Sequence, residues 1–413
     1  MRKYIIIAGA GFGGITTALK LVRKLGSYAK EYEILLVDKH HHQLYTPALY
    51  EIAAIPREYA SDPSIKSAIL IPITDIVSGK PVTLICDEII GLRADTKKLV
   101  LKKAGELPYE FLVLALGSET NYFGIPGLKE NSFTLKTPDD GLRLRDAIED
   151  GIKKNKALKI VVGGAGSTGI ELIAEFVNFV CALKEKFFPA SKTCNVEYWL
   201  IEASPEILPG FEPWVIKKTR KRLQRLGIQI KTDSLITSVT PHEIIFKNGS
   251  REPHDILIWT GGIKGPETIK NFGLPLSPKG SIRIDEYLRA GDQDLNIFAI
   301  GDNATFQNPK TGKPLPGNIP VAEGEAGLVA RNILLKIKNR PLQKFRPMKK
   351  YPFVLAIGKK YAVADLIFLR FSGLLGWLIK QLVELRYLLF ILPVGKALTR
   401  WIWCIKLYNS NDG

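Results

Sequence analysis

Two glycine-rich turns, Gly9-Ala10-Gly11-Phe12-Gly13-Gly14 and Gly164-Ala165-Gly166-Ser167-Thr168-Gly169, lie 155 residues apart, directly after the apolar runs Tyr4-Ile5-Ile6-Ile7-Ala8 and Lys159-Ile160-Val161-Val162. A turn without side chains lets backbone N–H groups reach a pyrophosphate, and the helix that follows turns its positive end toward that anion. An acid closes the next apolar run in each case: Asp38 after Glu33-Ile34-Leu35-Leu36-Val37, and Glu202 after Tyr198-Trp199-Leu200-Ile201. Such a carboxylate is placed to accept hydrogen bonds from a ribose diol. Two complete fingerprints imply two dinucleotides, and electron transfer between them.

These residues require βαβ units to position them. The first unit runs from Tyr4 to Asp38. Short alternating segments between Pro81 and Leu114 read as strands with Ala94-Asp95-Thr96-Lys97 as a turn, and they end in Ala115-Leu116-Gly117-Ser118. The same pattern returns from Ile228 to Thr260 around the turn Lys247-Asn248-Gly249-Ser250, and it ends in Gly261-Gly262. The chain thus repeats a nucleotide-binding unit, strand hairpin included. A third block, Leu295 to Asp302, is an apolar strand ending in Gly-Asp. It places the Asp302 carboxylate at the carboxyl edge of a parallel sheet, where doubly wound folds bind ligands. Pro320-Val321-Ala322-Glu323-Gly324-Glu325 then opens a helix through Lys338, with a proline and two acids that suit a helix start.

Other chemistries find little support. The run His40-His41-His42 suggests a metal, but neighbours in an extended segment point to opposite sides and no cluster of His, Cys or Asp follows, so packing beside a nucleotide is expected and no metal. Cys86, Cys181, Cys194 and Cys404 form no CxxC, which argues against a structural disulfide or zinc site and suits a reducing compartment. The first strand begins within three residues, leaving no room for a secretory signal or transit peptide.

The net charge of +17 is unevenly spread, because residues 341 to 413 hold 12 Lys and Arg against 3 acids. These cations alternate with Leu, Ile, Phe and Trp, which points to an anionic lipid surface and away from nucleic acid. The charge-free runs at 371–379 and 387–395 are about half of the ~18 to 20 apolar residues that a spanning helix needs. Gly373, Gly376, Lys380 and Glu384 fall on one helical face while Leu375, Leu378, Leu382, Leu385 and Leu389 occupy the rest, and Pro393 ends that helix before Lys396, Arg400, Trp401 and Trp403. A helix lying in the lipid interface is expected; the alternative is a homodimer or core-packing helix, and both hold if an amphipathic hairpin pairs and also dips into lipid.

The ordered set of AGAGFGG, Asp38, Ala115-Leu116-Gly117, GGAGSTGIE at 163–171, Glu202 and FAIGDNA at 298–304 resembles the flavoproteins with two dinucleotide-binding domains. HQLYTPALYEIA at 42–53, AIGKKYAVADL at 356–366 and the Trp-rich basic C-terminus narrow the resemblance to the type II NADH dehydrogenases, which are non-pumping NADH:quinone oxidoreductases. The resemblance implies an α/β fold of two Rossmann-like domains plus a C-terminal membrane-associating helical block. The expected division is 1–120 with 266–340 for FAD, 121–265 for NADH, and 341–413 for the block. By the same resemblance the first fingerprint and Asp302 bind FAD, the second fingerprint binds NADH as substrate, and further cofactor contacts fall at Lys39, Pro47, Ala115, Gly117, Gly261, Gly262 and Ala322. Glu171 is the carboxylate placed near the nicotinamide and flavin, and Glu323 is placed, with Pro47 and Ala322, on the passage of a membrane quinone. The family usually carries glutamines where this chain has Glu323 and Gly327. Localisation is expected on the cytoplasmic face of the cell membrane, peripherally. Two alternatives stay open: a sulfide:quinone oxidoreductase, which needs a cysteine pair beside its flavin, and a non-catalytic nucleotide-sensing membrane scaffold.

Overall fold

The computed structural model describes residues 2–154, 157–188, 196–309 and 311–409. They form two compact units: Met1–Leu44 with Leu70–Glu119 and Ile263–Tyr351, and Tyr45–Ile69 with Thr120–Gly262 and Pro352–Gly413.

The first unit is built on a parallel sheet of five strands in the order Ile297–Ala299, Phe111–Leu114, Lys3–Ala8, Tyr32–Asp38 and Val82–Cys86. Ile5, Ile6, Ile7 and Ala8 are wholly buried, as expected of a strand covered on both faces. Ala8 pairs with Val37 on one side and Leu114 on the other, so these strands end level and deliver their loops to one edge. An antiparallel set, Ile89–Arg93, Lys98–Leu101 and Gly105–Pro108, follows the alternating segments of the sequence.

The second unit repeats this plan with four parallel strands in the order Gln229–Lys231, Val196–Ile201, Leu158–Gly163 and Ile256–Trp259. Its antiparallel set is Ile236–Val239, Glu243–Phe246 and Arg251–Pro253. A hairpin of three strands, Phe353–Ala356, Ala362–Asp365 and Arg370–Gly373, leads into helices Leu374–Ile391 and Val394–Tyr408.

The units differ from the expected division in two places. Residues 45–69 belong to the second unit, because Tyr45 stacks on Tyr387 at 5.8 Å, Arg400 donates to the carbonyls of Ser67 and Ala68, and Arg57 pairs with Asp146 and Asp150. Residues 352–413 are part of that unit and not a separate block: an added Cβ on Gly376 would lie 2.2 Å from the Ala362 carbonyl, so helix and hairpin touch backbone to backbone. The stretch before it stays with the first unit, where Asn332 exchanges hydrogen bonds with the backbone of Gln343.

The glycines of the two turns divide into structural and open positions. Gly9 and Gly164 have φ of 103° and 108°, and a Cβ there would come within 2.3 Å of Ala115 O and 2.6 Å of Gly261 Cα. Gly14 and Gly169 meet the carbonyls of Gly9 and Gly164 at 1.8 and 2.1 Å in the same test. Gly11 and Gly166 meet nothing within 4 Å. Gly164→Ala is therefore expected to destabilise the fold by about 3 kcal/mol. Gly166→Val, by contrast, should keep stability within about 1 kcal/mol yet weaken dinucleotide binding roughly tenfold or more, since its side chain fills the space a pyrophosphate needs. Denaturant unfolding and nucleotide titration of both variants check the contrast, and equal loss of stability would contradict it.

Candidate functional site

The two turns are closed by the same three hydrogen bonds. In the first, Gly9 N–H donates to Val37 O at 2.7 Å, while Asp38 Oδ2 accepts the Ala10 N–H at 2.7 Å and Oδ1 accepts the His40 N–H at 2.8 Å. In the second, Gly164 N–H donates to Ile201 O at 2.8 Å, and Glu202 accepts the N–H groups of Ala165 and Ser204 at 2.8 and 2.9 Å. Both carboxylates are half-buried, so each keeps outward lone pairs for a ribose. Phe12 and Ser167 are the first residues of helices Phe12–Leu25 and Ser167–Phe187. The early N–H groups of these helices face the open glycines.

The first unit adds Asp302 in the turn that follows strand Ile297–Ala299. Ser118 Oγ donates to Asp302 Oδ2 at 2.9 Å, which ties the loop carrying Ala115 and Gly117 to this carboxylate. Buried Glu325 accepts the Gly301 N–H at 2.7 Å and so fixes the Gly-Asp turn from the helix Ile319–Ile337. Burial pushes its carboxyl up to about 7 against that hydrogen bond, and Asp302 adds to the rise. Asn318 caps this helix by accepting the Val321 N–H, and Ala322 lies 3.9 Å from where a Gly13 side chain would begin. The fingerprint turn, the Gly-Asp turn and the helix start therefore converge.

The second unit holds a buried cluster of charge. Glu171, just past the first turn of helix Ser167–Phe187, accepts the Ala356 N–H at 3.2 Å. Lys380 pairs with Glu51 at 2.5 Å, their side chains only 16% and 9% exposed. Burial pushes Glu171 up to about 8, with Lys380 and the Ala356 bond opposing and Glu51 reinforcing. Glu384 is raised to about 7, again chiefly by burial with Lys380 opposing. For Lys380 burial acts to lower the ammonium, yet Glu51, Glu384 and Glu171 outweigh it and hold the group above its ordinary value. At neutral pH Glu171 thus keeps its proton beside a charged lysine.

The sequence pattern of the pyridine nucleotide-disulphide oxidoreductases matches residues 3–326. The chain belongs to this family. Among curated relatives it is 27% identical over 393 residues to a probable NADH dehydrogenase of Dictyostelium discoideum, covering 91% of this chain and 83% of that one. It is 26% identical to the type II NADH:quinone oxidoreductase of Staphylococcus saprophyticus, with 83% and 85% covered. The fold is that of NDH2 from Plasmodium falciparum in complex with NADH, at a TM-score of 0.83 and 19% identity over 100% of this chain and 99% of that one. The sulfide:quinone oxidoreductase of Aquifex aeolicus shares it at a TM-score of 0.75, 19% identity and coverage of 99% and 92%.

Within this family fold the remaining expected residues are dispersed. Thr260 donates to the carbonyls of Gly163 and Gly164, and the Trp259 ring covers Gly261 while Phe123 approaches Gly262. Lys39 is exposed beside Asp38, and Pro47 lies within a short helical turn, Thr46–Ala48, of the second unit. Glu323 is half-buried in the first unit, its carbonyl accepting from Lys20 Nζ at 3.1 Å. The three histidines are exposed, and His42 begins a strand instead of continuing a loop. Among the described residues no group of three or more metal-binding side chains comes together. Cys86 lies in the first unit and Cys181 and Cys404 in the second, none of them in a disulfide, while Cys194 falls outside the described residues. Glu51 and Glu325 were not singled out by sequence. The sequence places Lys380 and Glu384 on one helical face, and that shared face is the signal from which a polar partner such as Glu51 could have been sought.

The raised carboxyls carry a pH dependence. From pH 4.5 to about 8 the unfolded chain has released the Glu171 proton while the folded chain keeps it, so stability falls as pH rises through this window. Glu325 and Glu384 act in the same direction up to about 7. Glu171→Gln is expected to reduce the fall by one proton's worth of slope, read from unfolding curves taken across this range. Parallel curves for the two proteins would contradict the buried, protonated carboxyl.

Proposed function

We propose that the chain is an FAD-dependent NADH:quinone oxidoreductase: NADH and a proton reduce a membrane quinone to its quinol, without proton pumping. The observation that carries this reading is the duplicated carboxylate-closed turn, one copy for each dinucleotide. FAD bound at the first turn would supply the two-electron carrier chemistry. Asp38 and Asp302 would hold it, with Gly11 leaving room for its pyrophosphate. The helix start near Val321 would present N–H groups to developing negative charge. Glu202 would bond the ribose hydroxyls of NADH and repel a 2′-phosphate, and Ala203-Ser204 offers no arginine to receive one.

The one proton taken up from water would be relayed by the chain. Glu171 holds one at neutral pH, and Lys380 sits within its electrostatic reach. The hydride of NADH accounts for one of the quinol's two hydrogens, so a protonated acid held beside an ammonium would pass on the one further proton that the reduction consumes and be reprotonated from water. Glu323 is assigned to the quinone side, where relatives of this kind usually carry glutamine.

The quinone is lipid-soluble, and the C-terminal helices carry features that suit its solvent. Leu374, Leu375, Leu378, Leu382, Leu389, Val394, Leu398 and Ile402 are exposed, while Gln381 and Glu384 of the same helices are buried. An apolar exterior over a polar interior reverses the usual surface order and fits immersion in a lipid interface. Among the described residues no helix is long and apolar enough to cross a membrane. Peripheral attachment at the cytoplasmic face, aided by the exposed Arg386, Lys396 and Lys406, completes the proposal.

Purified protein should oxidise NADH with reduction of a short-chain ubiquinone and prefer NADH over NADPH roughly tenfold or more in kcat/KM. Glu202→Gln should narrow that preference. Equal use of the two nucleotides, or quinone reduction driven by sulfide in place of NADH, would overturn the assignment.

A further inference from the structure

A groove of about 640 Å³ runs along the outside of the first unit between the helices Phe12–Leu25 and Ile319–Ile337. Five cations line it: Lys20, Arg23 and Lys24 from the first helix, Arg331 from the second, and Arg346 from the segment that follows. Among the described lining residues there is no Asp, Glu, Asn or Gln. Leu328, Phe345, Met348 and Tyr351 supply an apolar wall. That wall is fixed in place, because Phe345 donates its N–H to Glu286 O at 2.6 Å and packs edge-on against Phe306, and Tyr351 Oη accepts the Met348 N–H.

The cations crowd one another. Burial lowers the Lys20 ammonium, Glu323 offsets part of this, and Lys24 and Arg23 depress it further. Arg331 is anchored by a neutral partner, Gln343 Oε1 at 2.9 Å. Gly327 gives the groove its depth, since a Cβ there would lie 2.8 Å from Lys20 Nζ. Any longer side chain at 327 would displace that ammonium. The assembly is thus a cluster of like charges beside an apolar wall, and an anion with an apolar tail relieves both at once.

We propose that this groove binds the anionic headgroup of a phospholipid, with the first part of its acyl chain along Leu328, Phe345 and Met348. A nucleotide fits the lining less well, because a ribose diol and a base call for carboxylate or amide partners, and the lining has neither. None of the lining residues belongs to the C-terminal helices, and binding here does not depend on whether the chain reduces a quinone.

Native mass spectrometry of the full-length holoprotein in a non-ionic detergent tests the proposal with dihexanoyl-phosphatidylglycerol, dihexanoyl-phosphatidylcholine and inorganic phosphate as probes. One phosphatidylglycerol should be retained at concentrations where phosphatidylcholine is not. Arg331→Gln with Arg346→Gln should weaken its binding roughly tenfold or more. Both residues are exposed, so flavin content and unfolding temperature should stay unchanged and report that the variant is folded. Lys396→Gln with Lys406→Gln on the last helix should leave this binding intact. Equal retention of the two lipids, or no effect of the groove substitutions, would overturn the proposal. So would inorganic phosphate displacing phosphatidylglycerol at equal concentration, which would mark the groove as a soluble-anion site.

Discussion

The hydrogen bond that the N–H of an alanine inside a glycine turn donates to the carboxylate at the end of the next strand is the constraint on which the molecule rests. The bonds that Ala10 donates to Asp38 and Ala165 donates to Glu202 each span two adjacent parallel strands. The bond therefore needs those strands to end level, and the sheet register delivers this. It also needs a glycine at φ near 105° before the alanine, and a third glycine close enough to touch the first one's carbonyl. Once these are met, the middle glycine faces open space and the carboxylate retains lone pairs outward. Structure and proposed site are one requirement here: the turn that closes the fold is the turn assigned to the dinucleotide.

The second organising feature is an inversion in the C-terminal helices, with carboxylate, amide and ammonium inside and leucines outside. Burying Lys380 alone would be costly, since an unpaired charge loses its hydration. Glu51, on the short helix Leu49–Ile52, supplies the counter-charge, and the same arrangement raises Glu171 and Glu384. A packed interior would not keep such a cluster for stability's sake. The proposed relay of a proton to a quinone would give it a purpose, and the exposed leucines fit the lipid contact proposed for these helices.

The glycine turns, their acids and the doubled hairpin were legible because each is a short-range pattern, complete within some forty residues. The Gly-Asp turn was legible for the same reason, although Glu325, which fixes it, was not. Its partner is the backbone N–H of Gly301, and backbone groups carry no sequence signal. Long-range pairings were also hidden. Nothing in Tyr45, Glu51 or Ser67 announces Tyr387, Lys380 or Arg400 more than 300 residues away, so residues 45–69 read as part of the first domain when they belong with the second. The helical wheel of the C-terminal block put Lys380 and Glu384 on one face, but only the fold reveals that this face is the buried one.

The central claim is that the two turns hold two different dinucleotides. Flavin content and anaerobic bleaching of the flavin by NADH, measured side by side for Asp38→Ala and Glu202→Ala, test it most directly. The account predicts that Asp38→Ala loses its bound flavin. Glu202→Ala should keep the flavin yet require roughly tenfold more NADH or above to bleach it. Loss of flavin from Glu202→Ala with retention in Asp38→Ala, or the same defect in both, would contradict the assignment.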